Sequence, residues 1–201
     1  AVYTSFNDIT GTSPAYYRED LFPMSDHNPT FCSDSPDIGY GRLLIENTDY
    51  NLKIIGFSND GYEDELKAYL NGKRHHIEFL GKMNFEQIVP YLKSCLCTVV
   101  PSEWYDNFPN VILESFAYKK AVVATNFGSL PELVRNGETG LTFNYQDVED
   151  FRSKIAYFFA HPTEAKAMGE NAFQNVQTCF SPAEHYNRLM KLFNDITGKQ
   201  K

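Results

Sequence analysis

The chain has 201 residues and a formal net charge of −8, which argues against nucleic acid as a partner, because that binding rests on Lys and Arg neutralising phosphates. Apolar residues make up 42% and aromatics 15% of the chain, enough for a packed core and too many for a disordered segment. No apolar run approaches the ~20 residues that span a bilayer, and no charged-then-apolar leader opens the sequence.

Residues 1–40 are rich in Pro, Ser, Asp, Asn, Tyr and Phe without a sustained period. They read as an irregular segment, a linker or a remnant of another domain, with a strand option at Ala1–Phe6. Residues 41–201 read as one ordered domain. Asn51–Ile55 is a short apolar strand stopped at Gly56, and Tyr62–Leu70 has helical spacing closed by Asn71-Gly72. Ile77–Leu80 is a strand ending at Gly81, and Asn84 is placed to cap a helix over Phe85–Lys93. Thr98–Val100 is a third strand, followed by a helix over Pro109–Tyr118, the strand Ala121–Thr125 and a short helix from Pro131. Thr139–Phe143 is the last strand, and helices over 147–160, 163–177 and 182–197 complete the chain.

Strands alternating with helices predict an α/β fold, a three-layer Rossmann-like parallel sheet. Ligands in such sheets lie beyond the carboxyl ends of the strands. The turns after Ile55, Leu80, Val100, Thr125 and Phe143 are therefore the places to look. The cysteines Cys32, Cys95, Cys97 and Cys179 lack the paired spacing of a zinc site and read as free thiols of a cytoplasmic protein.

The turn after Val100 holds the strongest constellation. Asp106 and Glu114 bracket Asn107, Phe108, Pro109, Asn110 and Val111. Pro109 suits the first turn of a helix, where its missing N–H costs nothing. The amides of Asn110 and Val111 then remain open donors at the positive end of the helix dipole, a ready site for a diphosphate. Glu114 lies five residues beyond Pro109, about 7.5 Å along the axis, a reach that suits a ribose diol. The alternative is an ordinary helix with two solvated acids. A second turn, Gly128-Ser129-Leu130-Pro131-Glu132, repeats the strand-to-proline-helix pattern next door. Trp104 and Tyr105 offer rings to a base or acceptor, or else cover the sheet edge. His75-His76 reads as a solvated turn, and Lys119-Lys120 as a charge pair complementing the end of its own helix.

Taken in order, Val99-Val100-Pro101-Ser102, Asp106 to Ala117, Ala121 to Thr125, Gly128 to Glu132 and Asn136 to Leu141 resemble the C-terminal, donor-binding half of family-4 retaining glycosyltransferases. Those enzymes have the GT-B fold, and the resemblance covers roughly residues 50–197. It implies that Glu114 binds the ribose hydroxyls and that Asp106 contacts the donor sugar near the reacting carbon. It further implies that the amides around Pro109, Asn110 and Val111 meet the sugar and diphosphate, and that Gly81 and Lys82 edge the base. Arg42 matches the first cation of a diphosphate-holding element. The implied donor is a UDP- or GDP-linked sugar, the acceptor a carbohydrate or a lipid-linked glycan, and no metal or other cofactor is expected. A separate N-terminal acceptor domain is implied, with peripheral association at the inner membrane face through that domain as a further option.

Three departures stand against the pattern. Asp106 replaces the usual Glu, drawing the carboxylate back by ~1.5 Å, where a shift near 1 Å is enough to lose ~10²-fold in rate. Of the cation element only Gly41-Arg42 is present, with Asn47 where a lysine is usual. The acceptor domain is absent or reduced to residues 1–40. Two other functions therefore stay open at this point: a non-catalytic nucleotide-binding or interaction module, and a sugar-nucleotide epimerase on a related fold.

Overall fold

The computed structural model describes residues 2–6, 50–56, 64, 67–68, 77–102, 105 and 108–198. The chain divides into two compact units, Ala1–Ile88 and Val89–Lys201. The boundary drawn from sequence at residues 40 and 41 lies outside the described residues.

In the first unit, β1 (Val2–Phe6), β2 (Leu52–Gly56) and β3 (Ile77–Gly81) run parallel with β2 in the middle. The strand option at the N-terminus is thus realised, with Val2 opposite Leu52 and Phe6 opposite Gly56. Leu52, Ile54 and Ile55 are buried, while Lys53 pairs across the strands with Glu78. The register slips between Ile54 and Ile55, so that Phe79 and Gly81 face successive residues of β2. A bulge of this kind leaves one residue, here Leu80, without an opposite number. Gly81 closes the strand at φ +69°, a conformation open to glycine at no steric cost. Of the helix expected over Tyr62–Leu70, Asp64, Lys67 and Ala68 are helical and the rest lies outside the described residues.

Helix α1 (Phe85–Ser94) follows. Asn84 caps it as expected, and Gln87 completes a reciprocal box. The Gln87 N–H donates to Asn84 Oδ1 and the Asn84 N–H to Gln87 Oε1, both at 3.0 Å.

In the second unit, β4 (Cys97–Val100), β5 (Ala121–Thr125) and β6 (Gly140–Phe143) are parallel with β5 central. Every residue of β4 and β5 is buried. Helix α2 (Asn110–Ala117) packs on β4 and β5, the single turn α3 (Leu130–Leu133) on β5, and α4 (Val148–Ala160) on β6. Helix α5 (Pro162–Cys179) packs on α2, α4, β5 and β6, and α6 (Pro182–Thr197) follows it. Val99, Ile112, Phe116, Val123, Leu130, Phe143, Phe158 and Ala172 form the core of this unit. Asp147 and Ser181 cap α4 and α6 through their side chains. No helix among the described residues is long and apolar enough to cross a membrane. Cys95 and Cys97 are buried free thiols. Burial pushes the Cys95 thiol up to about 11 and the Cys97 thiol higher still, so both stay protonated and inert.

The Lys119-Lys120 pair behaves differently from the expectation. Lys119 takes a left-handed φ of 59° at the end of α2 and pairs with Glu170 at 3.0 Å. Lys120 turns away from its own helix and caps α1 instead. Its ammonium donates to Lys93 O at 2.9 Å and Cys95 O at 2.8 Å. Lys120→Met leaves those two carbonyls without a cation at a helix end, and should cost about 1–2 kcal/mol, read as a lower urea midpoint at unchanged slope.

Candidate functional site

β4 ends at Val100 and α2 begins at Asn110. Pro109 is the N-cap of α2, with φ −68° and ψ 118°. It stands one position ahead of the first turn in which the sequence placed it. Its extended ψ turns the incoming chain into the helix axis, and the Ile112 N–H bonds back to Pro109 O at 3.1 Å. Pro109 offers no side-chain cap and none comes from the other described residues, so among these the first amides of α2 are left for solvent or a ligand.

Two buried hydroxyls lock this helix to the strand before it. Thr98 Oγ1 on β4 lies 2.9 Å from Ser115 Oγ, which in turn donates to Val111 O at 2.6 Å. Phe108 meets Phe180 edge-on with ring centroids 5.5 Å apart, which ties the entry of α2 to the residue following α5. The helix therefore sits at a set depth and angle at the carboxyl end of β4.

Along α2, Val111, Ile112, Ser115 and Phe116 are buried while Asn110 is exposed. Glu114 lies one turn after Asn110, on the same helix face, and is half-buried. Burial raises its carboxyl above the ordinary value. Its carboxylate meets no hydrogen-bond donor or cation among the described residues. A half-buried acid without a partner is a costly arrangement. Pro109 and Val111 are buried side chains, so only their backbones face the turn.

The second turn is weaker than the sequence made it look. Gly128 takes φ +59° and Pro131 stands in the first turn of α3, but that helix is four residues long and carries little of a macrodipole. At the end of β5, the buried Thr125 hydroxyl has no hydrogen-bond partner among the described residues, a feature that calls for an explanation in a native fold. A polar residue ending an otherwise apolar strand was its one signal in the sequence. Thr98 and Ser115 gave no comparable signal.

The sequence-derived site is therefore divided. Phe108, Pro109, Asn110, Val111 and Glu114 come together at the start of α2. Gly81 and exposed Lys82 end β3 in the first unit. Arg42, Asp106 and Asn107 lie outside the described residues, as do Trp104, His75 and His76. Among the described residues no group of three or more His, Cys, Asp or Glu side chains is placed to hold a metal ion.

Parallel strands with helices packed on them define an α/β domain, the architecture in which ligands bind beyond the carboxyl ends of the strands. The chain belongs to the glycosyl transferases group 1 family, whose model matches residues 40–175. It is 33% identical over 140 residues to an uncharacterized glycosyltransferase of Methanocaldococcus jannaschii, covering 68% of this chain and 39% of that protein. It is 30% identical over 162 residues to the lipopolysaccharide core biosynthesis mannosyltransferase LpcC of Rhizobium leguminosarum bv. viciae, covering 78% and 45%. The chain spans less than half the length of either relative. Its fold is similar to HepE of Anabaena in complex with UDP-glucose, with a TM-score of 0.70 at 18% identity, covering 96% of this chain and 48% of that one. It is also similar to the C-terminal domain of a group 1 glycosyl transferase, LpcC of Francisella tularensis, with a TM-score of 0.66 at 18% identity, covering 90% and 86%.

Proposed function

We propose that this chain is the C-terminal, nucleotide-sugar-binding part of a family-4 retaining glycosyltransferase with GT-B architecture, acting in surface polysaccharide or glycolipid synthesis. The observation that carries the reading is the half-buried carboxylate of Glu114, without a donor or cation among the described residues, on the helix whose N-cap is Pro109. A ribose supplies two vicinal hydroxyls to such an acid, and charge-assisted bonds of that kind are the strong ones. The diphosphate then lies on the amides of Asn110 and Val111, with Arg42 as its cation. Helix amides and basic side chains meet the leaving-group charge without a resident metal. Asp106 contacts the donor sugar, Gly81 and Lys82 edge the base, and the acceptor approaches from a second domain. The similarity to a UDP-glucose-bound glycosyltransferase and to an isolated C-terminal domain supports this reading.

A thermal-shift panel of UDP, GDP and ADP with their hexose conjugates tests it. At a hundredfold excess over Kd a ligand adds about 2.7 kcal/mol of stability, equivalent to roughly 5–11 °C for a chain of this size. One base should produce such a shift and the others much less. A flat response to every diphosphate overturns the assignment.

A further inference from the structure

Three aromatic rings form a column beyond the carboxyl ends of β4, β5 and β6. Tyr105 follows β4, Phe127 follows β5 and Tyr145 follows β6. Phe127 and Tyr145 are stacked, with centroids 4.7 Å apart and planes 17° from parallel. Tyr105 also meets the Phe127 ring, with centroids 4.4 Å apart and planes tilted by 41°. Phe127 is half-buried between its neighbours, while Tyr145 is 38% and Tyr105 78% exposed.

This arrangement is unlike a core cluster. A tyrosine that exposed contributes little to packing, yet its ring rests on Phe127, which is itself stacked on Tyr145. Bracing removes rotamer freedom in advance, so a ligand that stacks on the open face pays less to order it. The ring face carries the negative pole of its quadrupole and attracts the weakly positive C–H groups on one face of a pyranose. The phenol hydroxyl at the rim can bond the sugar's equatorial hydroxyls. The column stands where ligands bind in a parallel sheet.

We propose that Tyr105 is a carbohydrate-stacking residue that takes the apolar face of a pyranoside acceptor, with Phe127 and Tyr145 positioning its ring. The assignment to an acceptor rests on the function proposed above. There the diphosphate and ribose lie on α2, and the donor sugar is contacted by Asp106. Tyr105 is the residue before that acid in the chain, so in this reading its ring takes the sugar next to the donor.

Saturation-transfer NMR with methyl α-glucopyranoside, methyl α-mannopyranoside and methyl α-galactopyranoside, each with and without UDP, tests the proposal on the 201-residue chain. At least one glycoside should receive saturation at its ring C–H protons. Tyr105→Ala should weaken that glycoside at least tenfold, Tyr105→Phe should keep it within about twofold, and Tyr145→Ala should fall between them. The UDP-induced melting shift should be the same in all three variants. Unchanged glycoside binding in Tyr105→Ala overturns the proposal, as does UDP binding without saturation of any glycoside. Loss of the UDP shift in Tyr105→Ala also overturns it, because the ring would then hold the base. A Tyr105-dependent glycoside signal with no response to any nucleotide keeps the stacking site and rejects the nucleotide reading instead.

Discussion

Glu114→Gln is expected to raise the melting temperature of the ligand-free chain while removing most of its response to nucleotide. The two effects share one cause. Burial raises the Glu114 carboxyl above its ordinary value, with no donor or cation among the described residues to offset it. For an acid whose folded pKa is raised, the folded state binds more protons than the unfolded one between the two values. Stability therefore falls as pH rises through that window, and at neutral pH the charged side chain works against folding. Glutamine keeps the shape and removes the charge, so the ligand-free chain gains. It also loses the charged acceptor for a ribose diol. Two charge-assisted bonds at ~1.5–3 kcal/mol each place the loss of nucleotide affinity at roughly 10²-fold or more. Acid should mimic the substitution, since nucleotide affinity falls as pH drops through the raised value and Glu114 takes up a proton. Melting curves of both proteins across pH 4–8, with and without the preferred nucleoside diphosphate, read all three effects. A ligand-free chain that is less stable with Gln, or a nucleotide shift that survives, would detach Glu114 from the ribose.

This trade between stability and binding could not be read from the sequence, although Glu114 itself could. The linear pattern shows an acid at a helical distance from a proline. It does not show that no donor or cation among the described residues reaches that acid, because its neighbours come from distant parts of the chain. The elements themselves were legible because their ends are marked locally. Asn84, Asp147 and Ser181 cap three helices, and Gly56 and Gly81 end two strands with positive φ. β1 was harder, since its pairing with β2 joins residues some fifty positions apart and five apolar-rich residues alone do not specify a partner. The same holds for Lys120. Its position suggested its own helix terminus, while its ammonium reaches carbonyls 25 and 27 residues earlier. Tyr105, Phe127 and Tyr145 are each separated by about one strand-helix repeat. Their stacking becomes visible only once the parallel strands lie side by side.

Glycines divide in the same way. Gly81 and Gly137 have positive φ and open space where a Cβ would stand, and both follow from turn chemistry. Gly169 is different. It lies inside α5, where the sequence would favour alanine by about 1 kcal/mol. A Cβ there would fall inside contact distance of Lys119 O, 2.7 Å from Lys119 C and 3.3 Å from Ala121 N. These are backbone atoms, and no rotamer change moves them aside. The turn they belong to is fastened by Lys119 N–H to Phe116 O and Lys120 N–H to Ser115 O, both 2.9 Å, and by the Lys120 ammonium on α1. The only relief is for α5 to withdraw from β5 and α2, loosening the contacts of Met168 and Ala172. Overpacking of this kind costs about 1–3 kcal/mol and occasionally more. Gly169→Ala should therefore outweigh its helix-propensity gain and lower the melting temperature by up to roughly 8 °C. Gly137→Ala, which adds backbone strain without a clash, should lose about 1–2 kcal/mol. Withdrawal of α5 also carries Phe180 away from Phe108 at the entry to α2, so nucleotide affinity should fall in Gly169→Ala and hold in Gly137→Ala. A Gly169→Ala chain as stable as the parent would mean that α5 does not rest on the Lys119–Ala121 turn, and the seating of α2 would need another explanation.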